Sequence, residues 1–135
     1  SKQHRAFIYT SYKLFTQSPL LGIGANNYRE NCKQIKYDFV ENCSTHPHNI
    51  FFQILAETGL IGILIYIYFI FMIIKKIAVF IINKNELHLS IFFLLPIFYF
   101  LNPFFPSGNF FNNWFMAIGT FSLPFYLYFN AIKKS

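Results

Sequence analysis

The chain has 135 residues, of which 55% are hydrophobic, 22% aromatic and 12% charged. Soluble domains carry about 25% charged residues, so this composition excludes an ordinary water-soluble domain and fits a chain solvated by lipid. The net charge of +6 does not indicate nucleic-acid binding, because no basic stripe interleaves with exposed aromatics: Lys75, Lys76 and Lys84 lie between apolar segments, and Lys133 and Lys134 close the chain.

The first residue is not Met, and no basic–apolar–small cleavage pattern opens the chain. We read it as the C-terminal piece of a longer membrane protein. Residues 1–17 are expected to form a short amphipathic helix. Phe7, Ile8, Leu14 and Phe15 lie on one broad apolar side, and Arg5, Tyr9 and Lys13 follow i, i+4 spacing on another. Pro19 and the Gly22-Ile23-Gly24 turn end it. A lone Gly-x-Gly with no following Gly-Lys-Ser/Thr is not a phosphate loop. Residues 26–45 are the most polar part and are expected to be an irregular loop.

Asn49 to Ile74 is the first expected span. It would rise about 39 Å, more than the about 30 Å hydrocarbon core, so its His48 end protrudes into the headgroup layer. Lys75 and Lys76 stop it, and 77–86 is a short connection with a polar tip at 83–86. Leu87 to Phe105 is the second span, interrupted by Pro96 and by Asn102-Pro103. Pro106 to Asn109 is a turn. Phe110 to Ile132 is the third span, with Trp114 at its outer edge. The expected fold is all-α: a polytopic membrane helix bundle of three transmembrane helices behind an N-terminal loop region. The division falls at 1–48 and 49–135. The positive-inside rule puts the first connection and the C-terminus in the cytoplasm and residues 1–48 outside.

Cys32 and Cys43 then lie on the outer face, where two cysteines suggest a disulfide. Closing that loop stabilises by about 2–3 kcal/mol in the chain-entropy model. The alternatives are two free thiols or a Cys/His metal site, but Cys-x10-Cys-x2-His-x-His fits no common zinc pattern.

Chemistry gathers at the outer mouth. Asn49, Gln53 and Glu57 recur every four residues and share a helix face that cannot look at lipid. It faces substrate, or it is a structural patch between helices. Ala56, Gly59 and Gly62 make a small-residue stripe that lets another helix come close. His48, with a near-neutral pKa at the membrane edge, suits a general base. His46, across Pro47, shares that work or shapes the loop. Arg5 and Arg29 offer forks for phosphate oxygens.

Arg5-x3-Tyr9, the Ser18-Pro19-Leu20-Leu21-Gly22-Ile23-Gly24 run and Asn27-Tyr28-Arg29 together resemble the outer-loop segment of bacterial O-antigen ligases and related polymerases. His48-Asn49-x9-Gly59-x2-Gly62 resembles their histidine motif, and the resemblance covers about residues 3–74. It implies a multi-pass inner-membrane enzyme that moves glycan from undecaprenyl pyrophosphate to a lipid A core hydroxyl on the periplasmic side, with no metal and no cofactor. By the match, His48 is the base and Arg5 holds pyrophosphate. Arg29, His46, Asn49, Gln53 and Glu57 complete the expected substrate-binding set, and the Pro106 to Trp114 turn is assigned to the same cavity. A polymerase or protein O-glycosyltransferase of the same superfamily is the near rival. A transporter or non-catalytic membrane subunit is the distant one.

Overall fold

A computed structural model describes residues 2–37, 42–82 and 89–132; the expected polar tip at 83–86, Lys84, Leu87, Lys133 and Lys134 lie outside the described residues. The described part is all-helical. The helices are α1 (Lys2–Gln17), α2 (Tyr28–Asn31), α3 (Ile50–Ile82), α4 (Leu89–Phe100), α5 (Asn113–Thr120) and α6 (Leu123–Ile132), with a 3-10 turn at Cys32–Gln34.

α1 buries Ala6, Phe7, Thr10, Ser11 and Leu14 against the rest of the chain. Ile8 and Phe15 are only half-buried, so the covered stripe is narrower and more polar than the apolar pattern implied. The loop expected to be irregular contains α2 and the 3-10 turn. Glu57 sets the start of α2, its Oε1 accepting the Tyr28 N–H at 2.7 Å. A disulfide joins Cys32 to Cys43 with a Cα–Cα separation of 5.1 Å. The Asn42 amide ties this loop to α1 by donating to Thr10 Oγ1 at 2.8 Å and to the Ile35 carbonyl at 2.6 Å.

The first expected span needs correcting at both ends. α3 does not stop at Lys75-Lys76 but runs on to Ile82. Lysine is a good helix former, and its aliphatic stem lies along apolar surface while the ammonium reaches for water. No glycine or proline intervenes before Ile82. Near its other end α3 is broken at Gly59, where φ is 63° and ψ is −156°, a region open essentially to glycine alone.

The break is filled by the 19–24 strap. In an unbroken helix the Leu60 N–H would bond the Ala56 carbonyl, and the Ile61 N–H the Glu57 carbonyl. Here the Ala56 carbonyl takes the Ile23 N–H at 3.0 Å, and the Glu57 carbonyl the Gly24 N–H at 3.0 Å. The Leu60 N–H instead reaches the Pro19 carbonyl at 2.8 Å, and the Ile61 N–H the Leu20 carbonyl at 3.3 Å. Two ladder bonds are replaced by four, so each of these four freed backbone groups is paired, as a low-dielectric setting demands. The small-residue stripe therefore admits a strap rather than a second helix. A Cβ on Gly59 would sit 2.6 Å from the Leu20 carbonyl, and one on Gly22 would strike the Glu57 backbone.

Two helices, Ile50–Ile82 and the Asn113–Ile132 pair, are long and apolar enough to cross a membrane. Beyond the break, residues 60–82 rise about 34 Å, close to the hydrocarbon thickness. The expected second span is shorter than foreseen: α4 ends at Phe100, ahead of Asn102-Pro103, where the residue before proline is pushed out of the helical region. Its rise is about 18 Å. The Tyr66 hydroxyl donates to the Leu101 carbonyl at 2.5 Å, just past that end. The third expected span begins at Asn113, not Phe110. Asn112 caps it, Oδ1 accepting from the Trp114 and Phe115 amides, and Pro124, which has no N–H to donate, accompanies the turn between α5 and α6. Phe93 stacks on Phe125 and Phe129 at 5.3 and 5.5 Å, joining α4 to α6. Ile73, Leu94 and Ile97 form the buried cluster between α3 and α4.

Candidate active site

The first half of α3, residues 50–58, starts at Asn49. Its Oδ1 accepts the Phe52 N–H at 3.2 Å, and its amide donates to the Pro103 carbonyl at 2.7 Å. This is an N-cap that also pins the end of the α4 segment. The turn immediately before it carries the histidines. His48 has φ +56°, a left-handed conformation that costs a non-glycine residue about 1–3 kcal/mol and persists only where surroundings enforce it.

The enforcing contacts come from three segments. The Phe7 ring of α1 lies 5.3 Å from the His48 ring, and the His46 ring 4.2 Å from it. Ser44, next to the disulfide, places Oγ 3.4 Å from His48 Nε2. The Ser107 N–H donates to the His48 carbonyl at 3.1 Å, while His46 Nε2 lies 3.1 Å from the Ser107 carbonyl. The Pro106–Asn109 turn thus closes directly over both histidines. Ser107 Oγ is buried with no hydrogen-bond partner among the described residues. Burial, then the neighbouring His48, hold the His46 pKa below its usual value.

Gln53 and Glu57 are fully buried and lie together, as the four-residue spacing requires. The Gln53 amide donates to Glu57 Oε2 at 3.1 Å and to Asn109 Oδ1 at 2.6 Å, and its Oε1 accepts the Phe110 N–H at 2.9 Å. Asn109 in turn donates to Asn26 Oδ1 at 3.1 Å. Glu57 takes the Tyr28 N–H, and the Asn26 and Asn27 amides also bear on it. Among the described residues no Lys or Arg pairs with it; the ion pair found is Lys33 with Glu30 at the surface. The Glu57 carboxyl accepts from the Tyr28 backbone and the Gln53 side chain, and so braces α2 against α3, while Gln53 holds the 109–110 turn. Behind it Tyr28 is buried, with its phenol pushed up to about 12, chiefly by that burial.

Arg5 and Arg29 are exposed. Arg5 is two residues from Phe7, about 200° around α1, so it points away from the face that meets His48. The chain brings His46, His48, Asn49, Gln53 and Glu57 into one continuous region and leaves the two arginines outside it. Ser107 and Asn109, from the turn already assigned to this cavity, and Phe7 of α1 also belong to that region. Ser44 and Thr45 belong to it as well and carry no spacing signal that would have picked them out of a polar loop. Among the described residues no group of three metal-ligating side chains occurs.

A family model described as O-antigen ligase matches residues 1–67. Over these residues the chain is similar to the O-antigen ligase family. The O-antigen ligase match runs from α1 through the strap, the disulfide loop and the histidine turn to Tyr66 and Ile67, about two turns past the break in α3. The family implies a glycosyltransferase-like enzyme superfamily that handles glycan and lipid. With the apolar helices it points to a multi-pass membrane protein. No curated protein and no solved structure matches the chain.

Proposed function

We propose that this chain is the C-terminal part of an O-antigen ligase-like enzyme that moves glycan from undecaprenyl pyrophosphate to a lipid A core hydroxyl. The reaction takes place on the periplasmic side of the bacterial inner membrane, without a metal. Residues 1–48 and the histidine turn face the periplasm, and the C-terminus is cytoplasmic. His48 is the general base: a ring nitrogen takes the proton of the acceptor hydroxyl as its oxygen attacks the anomeric carbon, and the pyrophosphate leaves. Arg5 and Arg29 sit on the exposed side of the loop region, where an incoming pyrophosphate can meet a guanidinium fork.

The observation that carries this reading is the left-handed backbone of His48, enforced from three segments. Strain of this kind clusters at sites where a side chain must be aimed. The buried Gln53–Glu57 pair supplies scaffold in this account, since its polar atoms are bonded within the chain.

A glycan-transfer assay on the full natural protein tests it, with undecaprenyl-pyrophosphate glycan and lipid A core, wild type against His48→Ala. Loss of transfer with intact membrane insertion supports the assignment. Retained transfer removes His48 from the chemistry. Failure of the wild type with lipid A core, together with extension of a lipid-linked repeat, moves the reading to a polymerase.

A further inference from the structure

Both ring nitrogens of His46 are engaged. Nε2 faces the Ser107 carbonyl at 3.1 Å, and Nδ1 lies 2.8 Å from Thr45 Oγ1. A carbonyl only accepts, so Nε2 carries the hydrogen; in the neutral ring Nδ1 then accepts from the Thr45 hydroxyl. The tautomer is fixed by its partners. The same Ser107 returns a bond of its own, N–H to the His48 carbonyl at 3.1 Å. His46 ring, Ser107 peptide and His48 backbone therefore form one closed clamp across a wide gap in sequence.

The two histidines differ in what they can offer. His48 has one contact from a ring nitrogen, at the long distance of 3.4 Å to Ser44 Oγ. His46 can take up a proton only at Nδ1, by turning its Thr45 partner around, and it would then carry charge 4.2 Å from the His48 ring. Among the described residues, the ionisable group that bears on His46 is His48; α1, which meets His48 through Phe7, carries His4 one turn earlier, and the 106–109 turn carries no ionisable side chain.

We propose that His46 is a positioning residue for glycan transfer. As a neutral Nε2–H donor it tethers the Ser107 carbonyl, and through Ser107 it holds His48 in its left-handed conformation. The His48 ring is then the single proton acceptor of the pair. The proposal rests on His48 being the base, and it assigns His46 a different part from direct contact with substrate.

The test uses the full natural protein in three forms: wild type, His46→Gln and His46→Ala. Glutamine keeps an N–H donor at similar reach. His46→Gln is expected to retain transfer within about threefold and to keep the acidic limb of the pH–rate profile, which belongs to His48. His46→Ala is expected to lose about tenfold or more in kcat, with little change in KM for the lipid-linked glycan. Equal loss in both variants would mean that the ring itself moves the proton. A raised KM with kcat intact would make His46 a substrate contact, and no change in either variant would remove the role.

A second measurement does not depend on activity. In ¹⁵N-histidine-labelled protein, the resonance that disappears in His46→Gln should report the Nε2–H tautomer at neutral pH and titrate below the usual histidine range. A signal that titrates with an ordinary histidine pKa overturns the clamp even if no transfer is ever detected. A fixed tautomer in a protein that transfers no glycan would sink the functional reading and leave the clamp standing.

Discussion

Around His48, side chains hold backbone; between α4 and α6, rings hold rings. At the histidine end, Asn49, Gln53, Glu57, Asn109 and Ser107 make directional bonds that join α2, the strap, the histidine turn and the 103–110 segment to the start of α3. In the apolar half, Phe93 lies on Phe125 and Phe129, and a cavity of about 540 Å³ opens between α3, α4 and the α5–α6 pair, lined by residues such as Phe69, Met72 and Tyr126. Hydrogen bonds fix position to a few tenths of an ångström. Ring contacts tolerate sliding, and in lipid they have little hydrophobic force behind them, because acyl chains are as apolar as the side chains they replace. The chain therefore invests its geometric accuracy at one end.

The sharpest way to break the contrast is His48→Ala, which should lower glycan transfer by more than about a hundredfold while leaving membrane insertion unchanged. Next is Gly59→Val. A β-branched residue at φ 63°, with its Cβ against the Leu20 carbonyl, should destabilise by about 3 kcal/mol or more. Thermal unfolding in detergent should show it, together with protease cleavage appearing in the 19–24 strap. Removing the disulfide with Cys32→Ser and Cys43→Ser together should destabilise by about 2–3 kcal/mol, seen as an earlier unfolding midpoint that added reductant reproduces in the wild type. At the other end, Phe93→Ala should lose about 1 kcal/mol, since lipid can fill the space. A loss as large as that of Gly59→Val would show the apolar half to be as tightly specified as the polar one.

The smallest expected effect is in pH. His46 has its pKa lowered by burial and by His48, so the folded protein binds this proton less readily than the unfolded chain. The stabilisation is complete above the usual value of about 6.5 and is lost as pH falls through that value toward the folded one. The wild-type unfolding midpoint should drop on acidification through this window, and His46→Gln should remove that part of the slope.

Much of this contrast was legible in the residues. The four-residue spacing of Gln53 and Glu57 placed them together, and the burial cost of such groups said they must be partnered. The composition announced the apolar half. What escaped were features made by backbone. Glycines at 59 and 62 read equally as a packing stripe or as a break, and nothing in their side chains says that the partner is a strap thirty-odd residues upstream. The run through Lys75-Lys76 was misjudged because a charge marks where water begins, not where a helix ends. The Pro106 to Trp114 turn was assigned to this cavity by resemblance, but the pairing of Ser107 with His46 was not legible, because that contact exists only once α4 and α5 have turned the chain back.

The splice at Gly59 also has a mechanical meaning. Residues 60–82 and residues 50–58 are continuous in sequence, yet the hydrogen bonds between them run through a third party. The long segment leans on Pro19 and Leu20 through the Leu60 and Ile61 amides, and the same strap holds the Ala56 and Glu57 carbonyls of the short segment that follows the histidine turn. The joint works as a coupling with a fixed idler. The long segment and the turn bearing His48 thus share one support, the strap that follows α1, whose Phe7 also packs on the His48 ring.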